Sequence, residues 1–269
     1  STLDRSSAAS DVYKRQYYTG YGLAAGQGDQ KQLNRHLVCL DRKSGEVLWT
    51  KAFQPKLPEH RYAGEGAYHG YAASTPATDG KHLYLFLGKS GVFCLDLDGK
   101  QVWHADVGGG INRWGSGTSP VLHKGLVIVN ASVESGSMVA LDQKTGRQAW
   151  KTGGISSSWN TPIIASVAGG GSELVVSIQG RVLGLDPGTG QKLWNADGVH
   201  RYVCPSVVAH KGVAYIIGGG HTSLAVKIGG RGDVTKSHGV WRLTKGSNVS
   251  SPIYHEGHLY WAHDSNGAV

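Results

Sequence analysis

The sequence has little of several residue types on which other classes of protein depend. It contains one Met, three Phe and three Cys in 269 residues, and only 17% of its residues are charged, against about 25% in ordinary globular chains. No apolar run approaches the roughly 18 residues that a membrane-spanning helix needs. The cysteines, Cys39, Cys94 and Cys204, are an odd number without metal-type spacing, which argues against a disulfide framework or a zinc cage.

Charge of one sign is also not concentrated anywhere. The 27 Lys and Arg exceed the 19 Asp and Glu, giving a formal net charge of +8, but the basic residues are dispersed and form no block of the kind that binds nucleic acid. No basic start precedes an apolar stretch, so the sequence predicts no signal peptide and no transmembrane segment. The positive balance favours an acidic partner.

Glycine, tryptophan and tyrosine are abundant, at 41, 8 and 12 residues. Together with short runs of Val, Ile and Leu, they favour pleated strands joined by tight turns. The sequence therefore predicts an all-β protein.

A short pattern recurs along the chain. Its copies are CLDRKSGEVLW from Cys39, CLDLDGKQVW from Cys94, ALDQKTGRQAW from Ala140 and GLDPGTGQKLW from Gly184. The repeat spacing is typical of a propeller blade, roughly 40 to 50 residues. The repeated tryptophans are Trp49, Trp103, Trp150 and Trp194, with Trp241 in a copy that has lost its Leu-Asp, and the repeated aspartates are Asp41, Asp96, Asp142 and Asp186.

The repeat has a mechanical interpretation. Each Asp opens a tight turn, and a Gly four residues later, three in the second copy, supplies a positive φ. The residue before Leu-Asp is always small, which predicts that a Trp from a neighbouring blade lies flat upon it. Cys39 and Cys94 are then expected to be buried, unpaired thiols.

A second signature alternates with the first. It is a dipeptide ending in Pro, followed by a hairpin turn and a β-rich run, so that the unit has four antiparallel strands. Its copies are Thr75-Pro76, Ser119-Pro120, Thr161-Pro162, Cys204-Pro205 and Ser251-Pro252.

The ALDxxTGxxxW element resembles the repeat of the PQQ-like (pyrroloquinoline quinone) β-propeller family, which includes quinoprotein dehydrogenases and BamB-like exported bacterial proteins. The resemblance implies a β-propeller of four-stranded antiparallel blades, here an incomplete ring of five to six blades. Residues 1–16 lack the repeat and are expected to be an unassigned leader, for which a native and a non-native origin both stay open. Complete blades are predicted at about 72–107, 116–154, 158–198 and 202–243, and partial blades at 17–54 and 248–269.

Four other motifs are better explained as turns than as sites. The glycine triplets do not follow a phosphate-binding pattern, His255-Glu256-Gly257-His258 is one residue short of a zinc-protease motif, and Asp96-Leu97-Asp98-Gly99 does not match a calcium loop. Arg231-Gly232-Asp233 is expected by chance. The sequence predicts no catalytic, cofactor-binding or metal-binding residue, and no adjacent cysteines of the kind many quinoprotein dehydrogenases carry.

The candidate binding face is the set of loops that lead into each innermost strand. Residues there differ between blades and are rich in Trp, Tyr and Arg, the types that dominate recognition hot spots, although interblade packing is an equal alternative. They are Tyr68, His69, Tyr71, Arg113, Trp114, Trp159, Asn160, His200, Arg201, Tyr202 and Asn248.

Three functions remain open. The resemblance implies a non-catalytic protein of the periplasm or cell envelope that binds a protein or polymeric ligand through one face, as in outer membrane protein assembly, and that needs no PQQ. The alternatives are a fragment of a PQQ-dependent alcohol or sugar dehydrogenase and the sensor ectodomain of a larger receptor.

Overall fold

The computed structural model describes residues 9–12, 15–22, 30–63 and 70–263. Strands dominate, because short β-branched and aromatic runs separated by glycine turns favour pleated structure over helix. The helical segments in this part of the chain are single turns at Gln30–Gln32, Gly88–Ser90, Ser132–Ser135 and Thr235–His238. The predicted all-β fold is confirmed.

Strands that are close in sequence pair into successive antiparallel sheets. The first sheet contains β1 (Ala9–Val12), β2 (Arg15–Gly22), β3 (Asn34–Asp41) and β4 (Val47–Phe53). The second contains β5 (Ala77–Thr78), β6 (His82–Phe86), β7 (Val92–Asp96) and β8 (Gln101–Ala105). The third contains β9 (Val121–His123), β10 (Leu126–Ala131), β11 (Ser137–Asp142) and β12 (Gln148–Gly153).

The remaining strands form two further sheets, one of five strands and one of four, and a hairpin. The fourth sheet contains β13 (Ile163–Ser166), β14 (Ser172–Ile178), β15 (Arg181–Leu185) and β16 (Lys192–Asp197). The fifth contains β17 (Val208–His210), β18 (Val213–Gly218), β19 (Thr222–Lys227) and β21 (Gly239–Leu243), while β20 (Gly232–Asp233) pairs parallel with β16. The hairpin consists of β22 (Ile253–His255) and β23 (His258–Tyr260).

The chain divides into two compact units. One comprises residues 1–135 and 141–148, and the other comprises residues 136–140 and 149–269. The core of the first unit includes Leu37 of the first sheet and Leu85 of the second. That of the second unit includes Val175 of the fourth sheet and Ile216 of the fifth. In each unit, consecutive sheets therefore bury their apolar faces on each other.

The opening sheet differs from the expectation for the leader. Strand β1 lies within residues 1–16 and pairs antiparallel with β2, with Val12 opposite Arg15 and Ala9 opposite Tyr17. The sheet therefore has four strands, not the partial set predicted for 17–54. The pattern could not reveal β1 because an edge strand pairs through main-chain groups that every residue carries.

The Asp-Gly turns form as the sequence predicts. Asp41 Oδ1 accepts the N–H groups of Lys43 and Ser44 at 2.8 and 2.9 Å, and Gly45 takes a φ of 74°. The backbone N–H of Ser44 is the first of several donors that hold the pKa of the Asp41 carboxyl below its usual value. Equivalent bonds close the turns at Asp142 and Asp186, and the turn at Asp96 is the shortened form.

The repeated Trp packs differently from the prediction. Trp49, Trp103 and Trp194 lie directly across from the small residues of their own sheets, Cys39, Cys94 and Gly184. A Cβ at Gly184 would stand 2.1 Å from Trp194 Cε2. The expectation of a Trp from a neighbouring blade was wrong, because antiparallel register places these two repeat positions opposite each other on adjacent strands.

From this position the ring reaches the next sheet within the same unit. In the first unit, Trp103 Nε1 donates to the carbonyl of Gln143 at 3.0 Å, and a Cβ at Gly146 would lie 2.6 Å from Trp103 Cε3. In the second unit, Trp150 makes the same contact with Pro187 and Gly190. The turn glycine therefore also makes room for the Trp of the preceding sheet.

The inner strands are linked by hydroxyl groups. The backbone N–H of Thr75 donates to Ser119 Oγ at 2.9 Å in the first unit, and in the second unit Thr161 donates to Ser206 Oγ at 3.3 Å and Ser206 to Ser251 Oγ at 3.0 Å. In the fifth sheet this role belongs to Ser206, not to Cys204 as the Pro spacing suggested. Pro205 lies two residues earlier than its equivalents relative to the strand that follows.

Candidate functional site

In the second unit, three predicted face residues converge on one glycine. Arg201 and Gly219 form an isolated antiparallel bridge in which the Gly219 N–H donates to the Arg201 carbonyl at 2.9 Å. A Cβ at Gly219 would lie 2.6 Å from both Tyr202 Cδ2 and Asn248 Oδ1. Glycine is therefore required here, and it lets the tyrosine and the amide close over the backbone while Arg201 stays exposed.

Trp159 lies on a loop fixed to the same region. Its backbone N–H donates to the Val203 carbonyl at 2.9 Å, next to Tyr202, and its side chain is half-buried. Together, Trp159, Arg201, Tyr202 and Asn248 define what we call the Gly219 cluster. It combines one guanidinium group, two aromatic rings and an amide.

Asn160 does not belong to this surface. Its side chain is completely buried, and its Nδ2 donates to the carbonyls of Ser177 and Val203 at 2.6 and 3.2 Å. The predicted contact with a partner was wrong for this residue, because its amide is buried. The hydrogen bonds of that amide hold the loops of Trp159 and Val203 in place.

In the first unit, the exposed Arg113 pairs with the half-exposed ring of Trp114. The Arg113 guanidinium lies 5.3 Å from the centre of the Trp114 ring, at cation–π distance. Asn112 Oδ1 accepts the backbone N–H of Trp114 at 3.1 Å and so shapes the loop. Tyr68 and His69, predicted on the same face, lie outside the described residues.

Tyr71 is not exposed either. Only 5% of its surface is accessible, its hydroxyl donates to the His60 carbonyl at 2.9 Å, and its ring centre lies 4.5 Å from that of His60. Burial raises the pKa of the Tyr71 hydroxyl. The residue forms a wall of a cleft, where a surface contact was predicted.

This cleft in the first unit was missed by sequence reasoning. Its enclosed space is small, about 20 Å³, enough for a water-sized group, and the rest of the cleft is open to solvent. Aliphatic and aromatic groups share its walls with charged groups. Its polar and charged lining residues include Arg35, Glu59, His60, Lys89, Ser116 and Glu134.

A buried ion pair forms one side of the cleft. Arg35 Nη2 donates to Glu59 Oε1 at 2.7 Å, and both side chains are at most 6% exposed. Arg35 also donates from Nε to the Tyr71 carbonyl at 2.6 Å and from Nη1 to Ser90 Oγ at 3.0 Å. One signal could have found it, since Arg35 shares the inward face of β3 with Leu37 and Cys39, where an apolar residue is expected.

Glu134 lies on the one-turn helix after β10 and is 4% exposed. Desolvation raises the pKa of its carboxyl to about 7. Its Oε2 atom is buried and accepts no hydrogen bond from any described residue. Its own carbonyl accepts the Gly110 N–H at 2.9 Å, which binds the 108–110 loop to this helix.

The other motifs are structural. Arg231 donates to Glu173 Oε1 at 3.2 Å, while Trp194 Nε1 donates to Glu173 Oε2 at 2.6 Å, so the Arg-Gly-Asp segment serves the packing of the fourth sheet. Cys39 and Cys94 are buried free thiols, as predicted. Within the described ranges, no three His, Cys, Asp or Glu side chains are grouped to hold a metal ion.

None of the helices in the described part of the chain combines the length and the hydropathy needed to cross a bilayer.

Comparison with known proteins identifies the family. Residues 34–269 match the family described as outer membrane protein assembly factor BamB, a PQQ-repeat family. The BamB of Burkholderia pseudomallei (strain K96243) is 29% identical over 163 residues, which cover 60% of this chain and 37% of the relative. The chain therefore spans well under half of that relative.

Solved structures show the same fold. The quinohemoprotein alcohol dehydrogenase from Comamonas testosteroni superposes with a TM-score of 0.54 at 14% identity, covering 81% of this chain and 40% of the enzyme. The computationally designed Ika8 protein superposes with a TM-score of 0.57 at 12% identity, covering 87% of this chain and 65% of Ika8. The repeat, the antiparallel sheets and the match over residues 34–269 agree: the chain belongs to the BamB family of PQQ-like β-propeller proteins.

Proposed function

We propose that this chain is a non-catalytic scaffold of the cell envelope that binds a protein or polymeric ligand through exposed loop residues. The observation that carries the proposal is the Gly219 cluster, in which the exposed Arg201 precedes the half-buried Tyr202 on a backbone closed by glycine, and the Trp159 loop is bonded to the neighbouring Val203. Among the described residues, no carboxylate forms an ion pair with Arg201 or with Arg113. Both guanidinium groups can therefore pair with a ligand.

The chemistry of these groups indicates an acidic or extended partner. Arginine beside aromatic rings supplies bidentate hydrogen bonds and cation–π contact together, as in binding hot spots. The net charge of +8 attracts the same class of ligand over longer distances. A partner segment with Asp or Glu side chains spaced along an extended backbone fits both features.

The proposed cellular location rests on the similarity to a BamB protein. The Burkholderia relative is an outer membrane protein assembly factor, and we propose the same setting, periplasmic and at the outer membrane, for this chain. A protein partner of that assembly is then the first ligand to test.

We propose that PQQ plays no part in this function. A quinone site needs stacking partners, a cation held by carboxylates and a base. Here the guanidinium of Arg35 is already bound to Glu59, no metal-binding group of three side chains occurs in the described ranges, and no two cysteines are adjacent in the sequence. These residues do not fit the cofactor.

The experiment measures binding of a fluorescent poly-L-glutamate peptide to the chain and to the variant Arg113→Ala/Arg201→Ala. We expect the variant to bind at least about tenfold more weakly, because two charge-assisted contacts are lost. Arg147→Ala/Arg42→Ala, which removes two exposed charges from repeat turns, is the matched control and should lose much less. Equal losses in the two double variants would leave only net charge as the cause and would refute the role of Arg113 and Arg201. Undiminished binding would refute it too.

A further inference from the structure

The cleft in the first unit contains a carboxylate oxygen that no described residue uses. Glu134 Oε2 is buried and accepts no hydrogen bond there, although a carboxylate normally accepts several. An unsatisfied buried carboxylate oxygen costs about 1 to 3 kcal/mol or more. A buried polar group in this state calls for a partner, such as a water, an ion or the polar group of a ligand.

The charges around Glu134 leave it available to a cation. Arg35, a guanidinium that lines the cleft, is held by Glu59 at 2.7 Å and is neutralised by that pair. Lys89 Nζ donates to the Pro58 carbonyl at 2.8 Å. Its positive charge would repel a cationic ligand that entered the cleft. His60 also lines the cleft. Within the described ranges, Glu134 forms no ion pair with Arg35, Lys89 or His60.

The walls of the cleft indicate the shape of the ligand. Phe86, Leu87, Ile111 and Val133 offer apolar surface, which suits a hydrocarbon stem. Tyr71 and His60 line the same space and pack on each other, and aromatic rings attract cationic groups. The end of the cleft at Glu134 is narrow, since a Cβ at Gly88 would lie 3.0 Å from Ser116 Cβ and 3.3 Å from Glu134 Oε1.

From this arrangement we propose that the cleft is a binding site for a primary ammonium group on an unbranched apolar stem, with Glu134 Oε2 as the acceptor. An alkylammonium ligand and a lysine side chain of a partner protein share this chemistry. The ammonium head supplies the charge-assisted hydrogen bond that the carboxylate lacks. This site is distinct from the Gly219 cluster and does not depend on the function proposed above.

Protonation of Glu134 should control binding. Its pKa of about 7 means that the carboxyl is mostly neutral at pH 6 and mostly ionised at pH 8. An alkylammonium keeps its charge over this range. Its affinity should therefore rise about tenfold from pH 6 to pH 8, following the ionised fraction of the carboxyl.

The test is calorimetric titration of the intact chain with n-butylammonium, 1-butanol and Nα-acetyl-lysine methylamide at pH 6 and pH 8. We expect butylammonium to bind more tightly at pH 8, butanol to bind at least tenfold more weakly than butylammonium at that pH, and Glu134→Gln to lose both the affinity and its pH dependence. Binding of the lysine derivative as well would identify a protein side chain as a source. Binding of butylammonium alone would identify a free amine.

Glu256→Gln, at an exposed turn, is the matched control for charge and should bind like the parent. If Glu134→Gln does not fold, the comparison of butylammonium with butanol at the two pH values in the parent chain still decides. Equal affinity for the alcohol, a pH dependence that survives in Glu134→Gln, or no binding of any probe would overturn the proposal. The last result would make the cleft a water site only.

Discussion

Trp150 of the third sheet lies on Gly190 of the fourth. Its indole Nε1 donates to the Pro187 carbonyl at 3.1 Å, and a Cβ added at Gly190 would stand 2.5 Å from Trp150 Cε3. Two positions 40 residues apart in the repeat pattern therefore depend on each other. The indole fits only because Gly190 has no side chain, and the indole in turn covers the turn that contains Gly190.

Replacing the ring should destabilise the protein strongly. Trp150→Ala removes a side chain that is 8% exposed, and truncation of a buried aromatic costs about 3 to 5 kcal/mol. We expect a corresponding drop in the free energy of unfolding measured in urea. Trp114→Ala, at a half-exposed ring, should lose clearly less. Equal losses in the two variants would contradict the packing role of Trp150.

Replacing the glycine should separate packing from backbone strain. Gly190 and Gly212 have nearly the same φ, 74° and 76°, but nothing lies within 4 Å of a Cβ at Gly212. Gly212→Ala should cost about 1 to 2 kcal/mol from the left-handed backbone alone. Gly190→Ala should cost a further 1 to 3 kcal/mol or so, because the new methyl group meets the indole. Thermal unfolding of both variants measures the difference, and equal midpoints would show that the clash is relieved.

Glu134 should make stability depend on pH. Its folded pKa of about 7 lies above its usual value, so between about pH 4.5 and 7 the folded state binds more protons than the unfolded state. Stability from this group is therefore fully present at acid pH and is lost as the pH rises toward 7. Relative to the parent, Glu134→Gln should gain up to about 3 kcal/mol between pH 4.5 and pH 8. Denaturant unfolding at both pH values measures this gain, and a constant difference between the two proteins would contradict it.

The pair of Arg35 and Glu59 should be costly to break and cheap to remove. Arg35→Met leaves the Glu59 carboxylate buried without its cation, which should cost about 3 to 5 kcal/mol. The double variant Arg35→Met/Glu59→Leu should recover most of that loss, since no charge is then buried unpaired. A double variant as unstable as Arg35→Met alone would show that the other bonds of Arg35 dominate.

The features that could be predicted from the sequence are those that repeat. Asp41 and its equivalents fall in the predicted turns because an Asp carboxylate and a left-handed glycine form that turn locally, whatever surrounds it. The family and the β-propeller fold follow from the same motif. The partner of the small residues was misassigned because a repeat period shows which positions are equivalent and does not show which of them face each other.

The candidate site was harder to predict because it depends on contacts between loops. Asn160 and Tyr71 occupy positions that vary between blades, as Arg201 does. Their side chains are nevertheless buried and donate hydrogen bonds to backbone carbonyls. The cleft brings together Arg35, Glu59 and Glu134 from segments that share no motif. Their burial depends on tertiary packing. Of the three, only Arg35 could be recognised in the sequence, because it occupies an inward position of β3 where an apolar residue is expected.

The hydroxyl links between inner strands have a consequence for how such a chain can evolve. Ser206 accepts from Thr161 and donates to Ser251, so a sheet offers a hydroxyl on one flank and an amide on the other. This is a head-to-tail contact, which any further copy of a four-stranded sheet can extend. Duplication or loss of a whole sheet would preserve every contact of this type, so relatives with different numbers of blades can share one set of joining residues.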